Sequence, residues 1–481
     1  MSEIPVQTLP AVSFPENVIF PPEKRPLGGR NCFPVLAAEY GPPTYLHWEH
    51  PRISEREMLL RFVAATDERV LHRVQVSNAA SGEIFGQFDV CYACPGQVFE
   101  LMLSAEQATS AFRDGLALSL LEGPALWLVN EGTRTTPAQR PQLVADPGPA
   151  SLERFLNLFC SAATLQPCDW MEVCVLDGLR DWKGLGREDA SEALRLHLET
   201  AFHPTKGQRE NIWGRPCDEA PGGPESTGPF AILALEEPGH PALRFAEQGF
   251  VNSHVPDLDV IARGHLVTES CYNVAYPMMA LAVTRGDADL KRRSLHQLRM
   301  CMKYLTAPDD LSLRYHLSTQ ERTFQNWSRG VAWYLLGWMR TLSLLPPEER
   351  PEDLIEEAGR MAAWVVKYQL PGGLWPCFLK EKEVAPDTSG CAGIAAAIAL
   401  GVAEGMLDEK YFPAATRAYD ALMACTRYDG WLRGVSQSNK KETHAMDIQR
   451  HAFRVIAPWG MGLLAQLAAA LSDCKNTTPQ K

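Results

Sequence analysis

The chain lacks the features of a secreted or membrane-spanning protein. Its first residues, MSEIPVQTLPAVSF, contain neither the basic segment nor the apolar run of a secretory signal. No stretch approaches the roughly 18 uninterrupted apolar residues that a membrane helix needs. The 13 cysteines are scattered through apolar contexts without the spacing of a disulfide framework. We therefore expect a soluble cytoplasmic protein with reduced thiols.

Positive charge and metal-binding motifs are also scarce. Lys and Arg total 46 against 58 Asp and Glu, and the formal charge of -12 disfavours nucleic acid and anionic membranes as partners. Cys91 and Cys94 form one CxxC pair with no second pair at zinc-finger distance, so a structural role is expected. The sequence predicts no metal and no cofactor. An anionic substrate would need a locally basic site, and self-association into a homo-oligomer stays open.

The pattern of apolar residues divides the chain into two parts. Between Asn31 and Asn130, short or alternating apolar runs broken by Gly, Pro and Asn predict an antiparallel β-sandwich. The Pro-rich segment Thr133–Ala150 is typical of a linker or a wrapping loop. We expect an N-terminal extension at residues 1–30, a β-sandwich accessory domain at 31–148, a helical catalytic domain at 149–473 and a tail at 474–481.

The second part predicts a mainly α protein built from paired helices. Segments that are small and apolar all round alternate about six times with segments that carry a single apolar stripe. The first type must be enclosed and the second lies outside. This alternation, repeated every ~45 to 65 residues, predicts an (α/α)6 barrel. A superhelical solenoid is the competing architecture, although solenoids have more uniform repeats.

The segment NWSRGVAW, residues 326–333, opens one of the enclosed helices. Trp327, Arg329 and Trp333 have helical spacing and can face one mouth of the barrel. An arginine grips a carboxylate through two parallel hydrogen bonds, and aromatic rings pack on the apolar face of a sugar. The trio favours a pocket for an acidic sugar. The competing interpretations are ordinary core aromatics and an internal salt bridge from Arg329.

Three loops that precede enclosed helices end alike, with an acid beside Ser or Thr. These are PEST with Glu225, VTES with Glu269 and PDTS with Asp387. Helix capping alone explains such a pattern. The loops leading into the enclosed helices of a barrel nevertheless converge on one mouth, so the three carboxylates are candidates for one site.

Several of these segments resemble motifs of the six-hairpin glycosidases, in particular the unsaturated glucuronyl and rhamnogalacturonyl hydrolases of glycoside hydrolase families 88 and 105. NWSRGVAW resembles the W-x-R-G-N-G-W segment of those families, with Val331 and Ala332 departing from it. LSLRYHLS resembles the stretch that ends in a substrate-contacting histidine, here His316. PDTSGCAGIAAAIALGVAEGML and RHAFRVIAPWGMGLLAQL resemble the last two enclosed helices. The resemblance covers roughly Leu152 to Leu471 and implies the (α/α)6 fold.

The catalytic positions depart from those families, which carry aspartates where Glu225 and Glu269 stand. Unsaturated substrates need one acid that protonates the ring double bond, whereas ordinary hydrolysis of a saturated glycoside needs two carboxylates. The two glutamates favour a terminal β-linked glucuronic acid as the group removed, as in the distantly similar family 154 β-glucuronidases. Glu269 is then expected to be the general acid, with its pKa raised by burial beside Tyr272, Trp327 and Trp333. Glu225 would be the base or nucleophile, and the two roles are interchangeable.

The remaining candidates are substrate-binding residues. We expect Arg329 to pair with the uronate carboxylate, assisted by His316, and Trp327, Trp333 and Tyr272 to line the sugar pocket. Asp387 either binds sugar hydroxyls or caps its helix, and His316 either binds substrate or makes a structural hydrogen bond. Basic residues of the loop 439–454, including Lys440, Lys441, Arg450 and His451, would supply positive potential at the mouth or else form a solvated face.

Three other functions stay open at this point. The first is hydrolysis of unsaturated uronyl products of lyases, which the family resemblance implies. The second is sugar 2-epimerisation, which uses histidine pairs and is disfavoured by the carboxylate-rich loops. The third is a non-catalytic carbohydrate-binding or scaffold protein in which the glutamates only cap helices.

Overall fold

The computed structural model describes residues 7–22, 24–90, 92–203, 209–210, 216–437, 450 and 454–477, and shows a β-rich N-terminal region followed by a mainly helical one. The strands of the N-terminal region are β1 Gln7–Thr8, β2 Ala11–Ser13, β3 Cys32–Val35, β4 Thr44–His47, β5 Met58–Val63, β6 His72–Asn78, β7 Ile84–Val90, β8 Val98–Leu103, β9 Leu116–Glu122, β10 Leu126–Val129 and β11 Gln142–Val144. One helix, α1 Ala105–Asp114, lies between β8 and β9.

The helical region begins after β11. Its helices are α2 Leu152–Phe159, α3 Trp170–Gly184, α4 Glu188–Ala201, α5 Pro229–Glu236, α6 Leu243–Asn252, α7 Tyr276–Arg285, α8 Ala288–Leu305, α9 Ser328–Ser343, α10 Glu352–Val366, α11 Thr388–Ala403, α12 Phe412–Ala424 and α13 Pro458–Thr477. Short strands in its loops are β12 Arg209–Glu210, β13 Pro216–Cys217, β14 His254–Val255, β15 Val260–Ile261, β16 His265–Val267, β17 Thr306–Ala307, β18 Asp310–His316, β19 Arg322–Gln325, β20 Val435–Ser436 and β21 Arg454–Val455. Among the described residues, no helix combines the length and apolar character needed to cross a bilayer.

Two antiparallel sheets enclose the core of the N-terminal region. One has the strand order β1-β11-β5-β8 and the other the order β2-β4-β9-β6-β7. Leu46, Leu60, Val74 and Leu118 come from both sheets and are fully buried in one apolar cluster. Alternation along a strand places neighbouring side chains on opposite faces. The alternating burial of β6 follows from this arrangement.

Residues 7–8 and 11–13, which the sequence placed in an N-terminal extension, contribute two strands to these sheets. Strand β1 pairs with β11, and β2 pairs with β4. The Pro-rich segment 133–150, predicted to be a linker, likewise contributes β11, which pairs with β5. Each of these strands has only two or three residues, which is too short for an alternation of apolar and polar side chains to be recognised in the sequence.

Strand β5 joins the two regions because it is buried on both faces. Leu60 and Phe62 face the core between the sheets, whereas Val63 belongs to the apolar cluster of the helical region. Arg61 points the same way as Val63 and is fully buried, where it forms ion pairs with Glu100 and Asp429. A buried guanidinium is tolerated only when carboxylates neutralise it, so this triad fixes the β-rich region on the loop after α12.

Arg61→Ala is expected to destabilise the junction of the two regions by about 3 kcal/mol, because Glu100 and Asp429 are left without their shared cation in a buried position. Urea unfolding followed by tryptophan fluorescence measures the change. Arg73→Ala is the matched control, because its ion pair with Asp89 lies in the same region but is more than a third exposed, where solvent screens the charges and the pair adds little to stability. If the two variants had equal urea midpoints of unfolding, the buried triad would add no stability beyond that of the exposed pair.

Alternate helices of the second region pack in a ring. Helices α3, α5, α7, α9, α11 and α13 each contact the next in chain order, and α13 returns to α3. The helices α4, α6, α8, α10 and α12 each pack on the member of this ring that precedes them in the chain, and α2 packs on α13. The sequence periodicity predicted this alternation of enclosed and outer helices. The described part of the chain is therefore toroidal and mainly helical after its β-rich beginning.

Small residues set the spacing within the ring. A Cβ on Gly337 of α9 would lie 2.3 Å from the backbone of Cys271. A Cβ on Gly390 of α11 would lie 2.3 Å from the Ser328 hydroxyl and 2.7 Å from the Arg329 nitrogen. No side chain fits at such distances. The glycines of the small, apolar helices therefore allow the starts of α9 and α11 to meet, and this contact organises the candidate site.

The described cysteines form no disulfide, and most of them are buried. Cys94 of the CxxC pair is buried, while Cys91 lies outside the described residues. Burial raises the pKa of the thiols of Cys160 and Cys377 to about 12. Such thiols are poor nucleophiles and behave as small apolar groups.

Candidate active site

The starts of the ring helices carry the residues that the sequence singled out. Asp169 caps α3 by accepting a hydrogen bond from the Met171 nitrogen, and Asp387 caps α11 by accepting one from the Ser389 nitrogen. Trp327 occupies the same position ahead of α9. The ring helices run parallel to one another, so their first residues lie at the same end of the ring. We call this end the mouth.

Arg329 lies beneath this mouth, and the expectation that it pairs with a substrate carboxylate stays a prediction. Its side chain is fully buried. The guanidinium donates to the backbone oxygens of Ser436 and Gln437 at 2.5 and 3.0 Å. It also lies 4.5 Å from the ring centre of Trp327. Two of its three nitrogens are thus committed to the chain itself, and Arg329 holds the segment at the end of β20 against the start of α9.

Asp387 is the buried counter-charge of Arg329. Its carboxylate accepts hydrogen bonds from the nitrogen and hydroxyl of Ser389 at 3.0 and 2.6 Å, and from the nitrogen and hydroxyl of Ser436 at 2.9 and 2.7 Å. Burial by itself raises the pKa of Asp387, but the charge of Arg329 and these hydrogen bonds outweigh burial and hold the pKa below its ordinary value. Asp387 thus caps α11 and holds Ser436 in place, as one of the two alternatives predicted, and the binding of sugar hydroxyls stays a prediction.

The aromatic residues form a layer inside the ring. Trp333 is buried and stacks on Tyr272, with ring centres 5.7 Å apart and planes 8° from parallel. The Tyr272 hydroxyl donates to Asp177 of α3, and the Tyr276 hydroxyl donates to the same carboxylate at 2.8 Å. Burial raises the pKa of Asp177. Tyr272 and Trp333 are therefore buried in the floor below the mouth, and their predicted contact with the sugar stays a prediction.

Trp170, which the sequence reasoning did not single out, covers this floor. It packs edge-on against Trp333 at 5.7 Å and against Trp459 at 5.5 Å, and it is half-buried whereas Trp327, Trp333 and Trp459 are buried. The available signal was positional, since Trp170 and Trp459 each stand at the start of an enclosed helix. Trp170 is the indole of this cluster with a face available to a ligand.

The two candidate glutamates lie on the segments that precede α5 and α7, which are neighbouring helices of the ring. Glu269 is half-buried at the end of the loop after β16, and the Thr268 hydroxyl donates to its carboxylate at 3.4 Å. Its charge acts on Arg329, whose pKa burial lowers while Asp387 and Glu269 raise it. The structure thus brings Glu269, Asp387 and Arg329 within electrostatic range of one another.

Glu225 lies in the 3-10 turn Pro224–Thr227, and its side chain is outside the described part. That turn packs against the π-helical turn Cys271–Ala275, and the Thr227 hydroxyl donates to the Asn273 backbone oxygen. The backbone therefore places the turn that carries Glu225 beside the π-helical turn that begins two residues after Glu269. A π-helical turn inserts an extra residue into a helix, and such turns are frequent at functional sites. The extra residue also changes which positions of this loop align with those of related sequences.

A hairpin flanks Glu269 with two basic residues. Arg314 of β18 pairs with Val267 of β16, which directly precedes the Glu269 turn, and His316 pairs with His265. Arg314 and His316 are two residues apart on one strand and share a face. His316 forms a hydrogen bond with the Thr323 hydroxyl at 3.1 Å and is half-buried. Arg314 is half-buried, and no carboxylate of the described residues pairs with it.

The basic loop near the last ring helix is only partly described. Arg450 forms two hydrogen bonds of 2.7 Å with Glu381 and lies 5.0 Å from the ring centre of Phe378. This internal ion pair occupies the guanidinium that we expected to attract substrate. Lys440, Lys441 and His451 lie outside the described residues, so their predicted contribution to the mouth stays a prediction.

Several buried polar groups at the mouth lack a hydrogen-bond partner among the described residues. They are the Ser270 and Ser328 hydroxyls, both amide atoms of Asn273, and the Trp459 indole nitrogen. Buried polar groups are almost always satisfied, and a cluster of exceptions commonly marks a place where water or a ligand completes the network. No group of three or more metal-binding side chains occurs in the part of the chain that the structure describes. The unsatisfied set fits a polyhydroxylated ligand.

Comparison with known proteins agrees with this architecture. Residues 272–472 match a protein-family model described as Glycosyl Hydrolase Family 88. A solved structure described as a possible member of glycoside hydrolase family 105 from Klebsiella pneumoniae has a TM-score of 0.56 and 16% sequence identity, covering 64% of this chain and 83% of that one. A family 105 glycoside hydrolase from C. acetobutylicum has a TM-score of 0.56 and 18% identity, covering 64% and 95% of the two chains.

A family 88 glycosyl hydrolase from Bacteroides vulgatus is similar in the same way, with a TM-score of 0.50 and 18% identity over 63% of this chain and 92% of that one. At such identities the likeness concerns the fold. None of the curated proteins matches the chain in sequence. The family match disfavours an epimerase and a non-catalytic scaffold. Over residues 272–472 this chain resembles Glycosyl Hydrolase Family 88, and we conclude that it is a glycoside hydrolase.

Proposed function

We propose that the protein removes a terminal β-linked glucuronic acid from oligosaccharides. The observation that carries the proposal is the position of Glu269, a half-buried carboxylate at the mouth of the ring whose charge acts on the Arg329 and Asp387 pair beneath it. In this proposal the ring is an (α/α)6 barrel, and the two sheets form an accessory β-sandwich at residues 31–148 to which the first strands are added.

Glu269 acts as the general acid and Glu225 as the base or nucleophile. Protonation of the leaving oxygen and activation of water require two carboxylates on either side of the scissile bond. The contact between the turn that carries Glu225 and the turn Cys271–Ala275, which follows Glu269, supports this pairing. Trp170 offers an indole face on which the sugar can stack, and Ser270 and Asn273 offer unpaired polar groups to its hydroxyls.

Arg314 and His316 take over the recognition of the uronate carboxylate that the sequence assigned to Arg329. Arg314 has a guanidinium without a carboxylate partner among the described residues, beside the strand that leads to Glu269. A guanidinium binds a carboxylate through two parallel hydrogen bonds. The buried Arg329 keeps a positioning role, because its donors hold residues 436 and 437 in place.

Hydrolysis of an unsaturated uronyl residue is the second candidate. It is favoured by the match to Glycosyl Hydrolase Family 88, a family that includes unsaturated glucuronyl hydrolases. This reaction needs one acid for the ring double bond, and Glu269 alone would supply it. The choice between the two substrates therefore depends on whether Glu225 takes part in catalysis.

The test compares three substrates: 4-nitrophenyl β-glucuronide, 4-nitrophenyl β-glucoside and a lyase-generated unsaturated disaccharide. We expect kcat/KM for the glucuronide to exceed that for the glucoside by about 100-fold, since a charged hydrogen-bonded pair contributes about 1.5–3 kcal/mol. Arg314→Met should remove most of this preference. Arg322→Met is the control, because Arg322 lies exposed on the neighbouring strand and donates to the Tyr304 backbone oxygen.

Cleavage of the unsaturated disaccharide alone would replace the first candidate by the second. Equal cleavage of glucoside and glucuronide would show that no anionic group is recognised. Loss of preference in both arginine variants would show that Arg314 has no specific role.

A further inference from the structure

A buried network of hydrogen bonds lies under the aromatic floor of the mouth. Asp177 of α3 accepts from the Tyr272 hydroxyl, and the Nε atom of Arg340 of α9 lies 3.9 Å from the same carboxylate. The Gln466 amide of α13 donates to the Tyr272 hydroxyl at 3.3 Å, and its oxygen accepts from Arg340 at 2.8 Å. We call these residues the inner network: Asp177, Tyr272, Arg340 and Gln466. All four are buried.

The network places charge at positions that apolar side chains could fill. Asp177 is fully buried, and Arg340 is also held by Asp181, whose carboxylate accepts from it at 2.8 Å. Replacing a buried ion pair by well-packed apolar residues is often neutral or stabilising, so stability alone does not account for such a cluster. Hydrogen bonds have preferred directions and fix the orientation of the groups that they join, which apolar contacts do less strictly. Orientation of a neighbouring group is the better explanation.

The group that the network orients is the aromatic layer above it. The Tyr272 ring stacks on Trp333 with planes 8° from parallel, and Trp333 packs edge-on against Trp170 at 5.7 Å. Trp170 is half-buried at the start of α3 and lies at the mouth. The contacts therefore run without a break from the network to the indole that is available to a ligand.

Tyr272 and Tyr276 differ in one respect that makes this arrangement testable. Both hydroxyls donate to Asp177, and both side chains are buried. Tyr276 stacks on Tyr272 with ring centres 6.0 Å apart, and it has no ring contact with Trp333 among the described residues. Loss of either hydroxyl removes a hydrogen bond to the same carboxylate, but the loss at Tyr272 alone releases the ring that supports Trp333.

We propose that the inner network positions Trp170, the indole on which the terminal sugar stacks. The network fixes the Tyr272 ring, Tyr272 fixes Trp333, and Trp333 fixes the face that Trp170 presents to the sugar. A shift of the indole weakens stacking in the bound substrate and in the transition state alike, so it acts on KM and not on kcat. This inference rests on the proposed function, because Trp170 belongs to the site that acts on the terminal residue.

The experiment compares Tyr272→Phe with Tyr276→Phe, two variants that keep both stacked rings. For Tyr272→Phe we expect KM for 4-nitrophenyl β-glucuronide to rise about tenfold with kcat within about twofold of the wild type. KM for Tyr276→Phe should change less than about twofold. The urea midpoints of the two variants should fall by similar amounts, since each loses a hydrogen bond to Asp177, and stability then does not explain the difference in KM.

A double-mutant cycle tests the route through Trp170. Trp170→Ala should raise KM at least as much as Tyr272→Phe does. Adding Tyr272→Phe to Trp170→Ala should then change KM less than about twofold, because the group to be positioned is already absent. Gln466→Met removes the donor to the Tyr272 hydroxyl, should raise KM in the same direction, and replaces Tyr272→Phe if that variant does not fold.

Equal changes in KM for the two tyrosine variants, an unchanged KM in Tyr272→Phe, or effects that multiply in the cycle would overturn the positioning role and leave the proposed function intact. If the wild-type protein cleaves no uronide, titration calorimetry with sodium glucuronate decides the matter separately. A dissociation constant that Tyr272→Phe raises about tenfold and Tyr276→Phe leaves within about twofold supports the positioning role although the proposed function fails. Absence of binding to the wild type overturns both.

Discussion

Glu269→Gln is expected to lower kcat for a glucuronosyl disaccharide by about 10³-fold, since a positioned general acid contributes roughly 10²–10⁴ to the rate. The amide keeps the size and the hydrogen bond from Thr268 but cannot deliver a proton. With 4-nitrophenyl β-glucuronide the loss should be about tenfold, because nitrophenolate leaves with little protonation. Steady-state kinetics on both substrates measures the difference.

Glu321→Gln is the control for this prediction, because Glu321 is an exposed glutamate near the end of the flanking hairpin. Its activity should stay within twofold of the wild type. A similar loss on both substrates for Glu269→Gln would assign Glu269 to water activation or attack, and the acid role would pass to Glu225. Full activity of Glu269→Gln would remove this carboxylate from the mechanism.

Asp387→Ala is expected to lower the free energy of unfolding by about 4 kcal/mol, because buried hydrogen-bond donors lose their acceptor and a buried guanidinium loses its nearby counter-charge. The change removes four hydrogen bonds to Ser389 and Ser436 and leaves the buried Arg329 without its counter-charge. Activity should fall as well, since residues 436 and 437 lose their anchor. Urea unfolding and kinetics on the same samples measure the two effects.

Asp408→Ala provides the matched comparison, because Asp408 also caps a helical turn but is exposed, so its loss should lower the free energy of unfolding much less. If both variants unfold at the same urea concentration, the buried pair of Arg329 and Asp387 contributes no net stability. A drop in activity without a drop in stability would instead indicate that Asp387 contacts substrate.

The acid dependence of stability should report the same carboxylate. Because the folded pKa of Asp387 is depressed, its stabilising contribution is present above the unfolded pKa and is lost as the pH falls through the folded pKa. Below about pH 4 the wild type should therefore lose stability faster than Asp387→Asn, which cannot titrate. Parallel curves for the two proteins below pH 4 would contradict this assignment.

Much of the architecture was accessible from the sequence. The alternation of small apolar helices with amphipathic ones predicted an inner and an outer set of helices. The short, alternating apolar runs before residue 130 predicted the β-rich region. The short strands β1, β2 and β11 were missed because two or three residues show no period. The glutamates were found because a carboxylate beside Ser or Thr at a helix start is visible in the sequence, whatever its role.

The role of an individual residue was harder to predict than the part of the fold in which it lies. Trp327, Arg329 and Trp333 were placed at the mouth on helical spacing, but spacing does not distinguish a side chain that faces a cavity from one that faces the adjacent helix. Arg314 and Trp170 were present in quoted segments without being selected. Their importance depends on β18 pairing with β16 and on Trp170 covering Trp333, which are contacts between distant parts of the chain.

By itself the sequence determined which helices are enclosed, because an all-round apolar surface can only be buried, and it determined which loops carry carboxylates. Only the tertiary structure decided which charges are available to a ligand. The guanidinium of Arg329 donates to backbone oxygens that lie more than 100 residues away in the chain, whereas that of Arg314 lies near the Phe324 ring and pairs with no carboxylate of the described residues. The reason is physical: the availability of a charge depends on its neighbours in space, and those neighbours are set by packing.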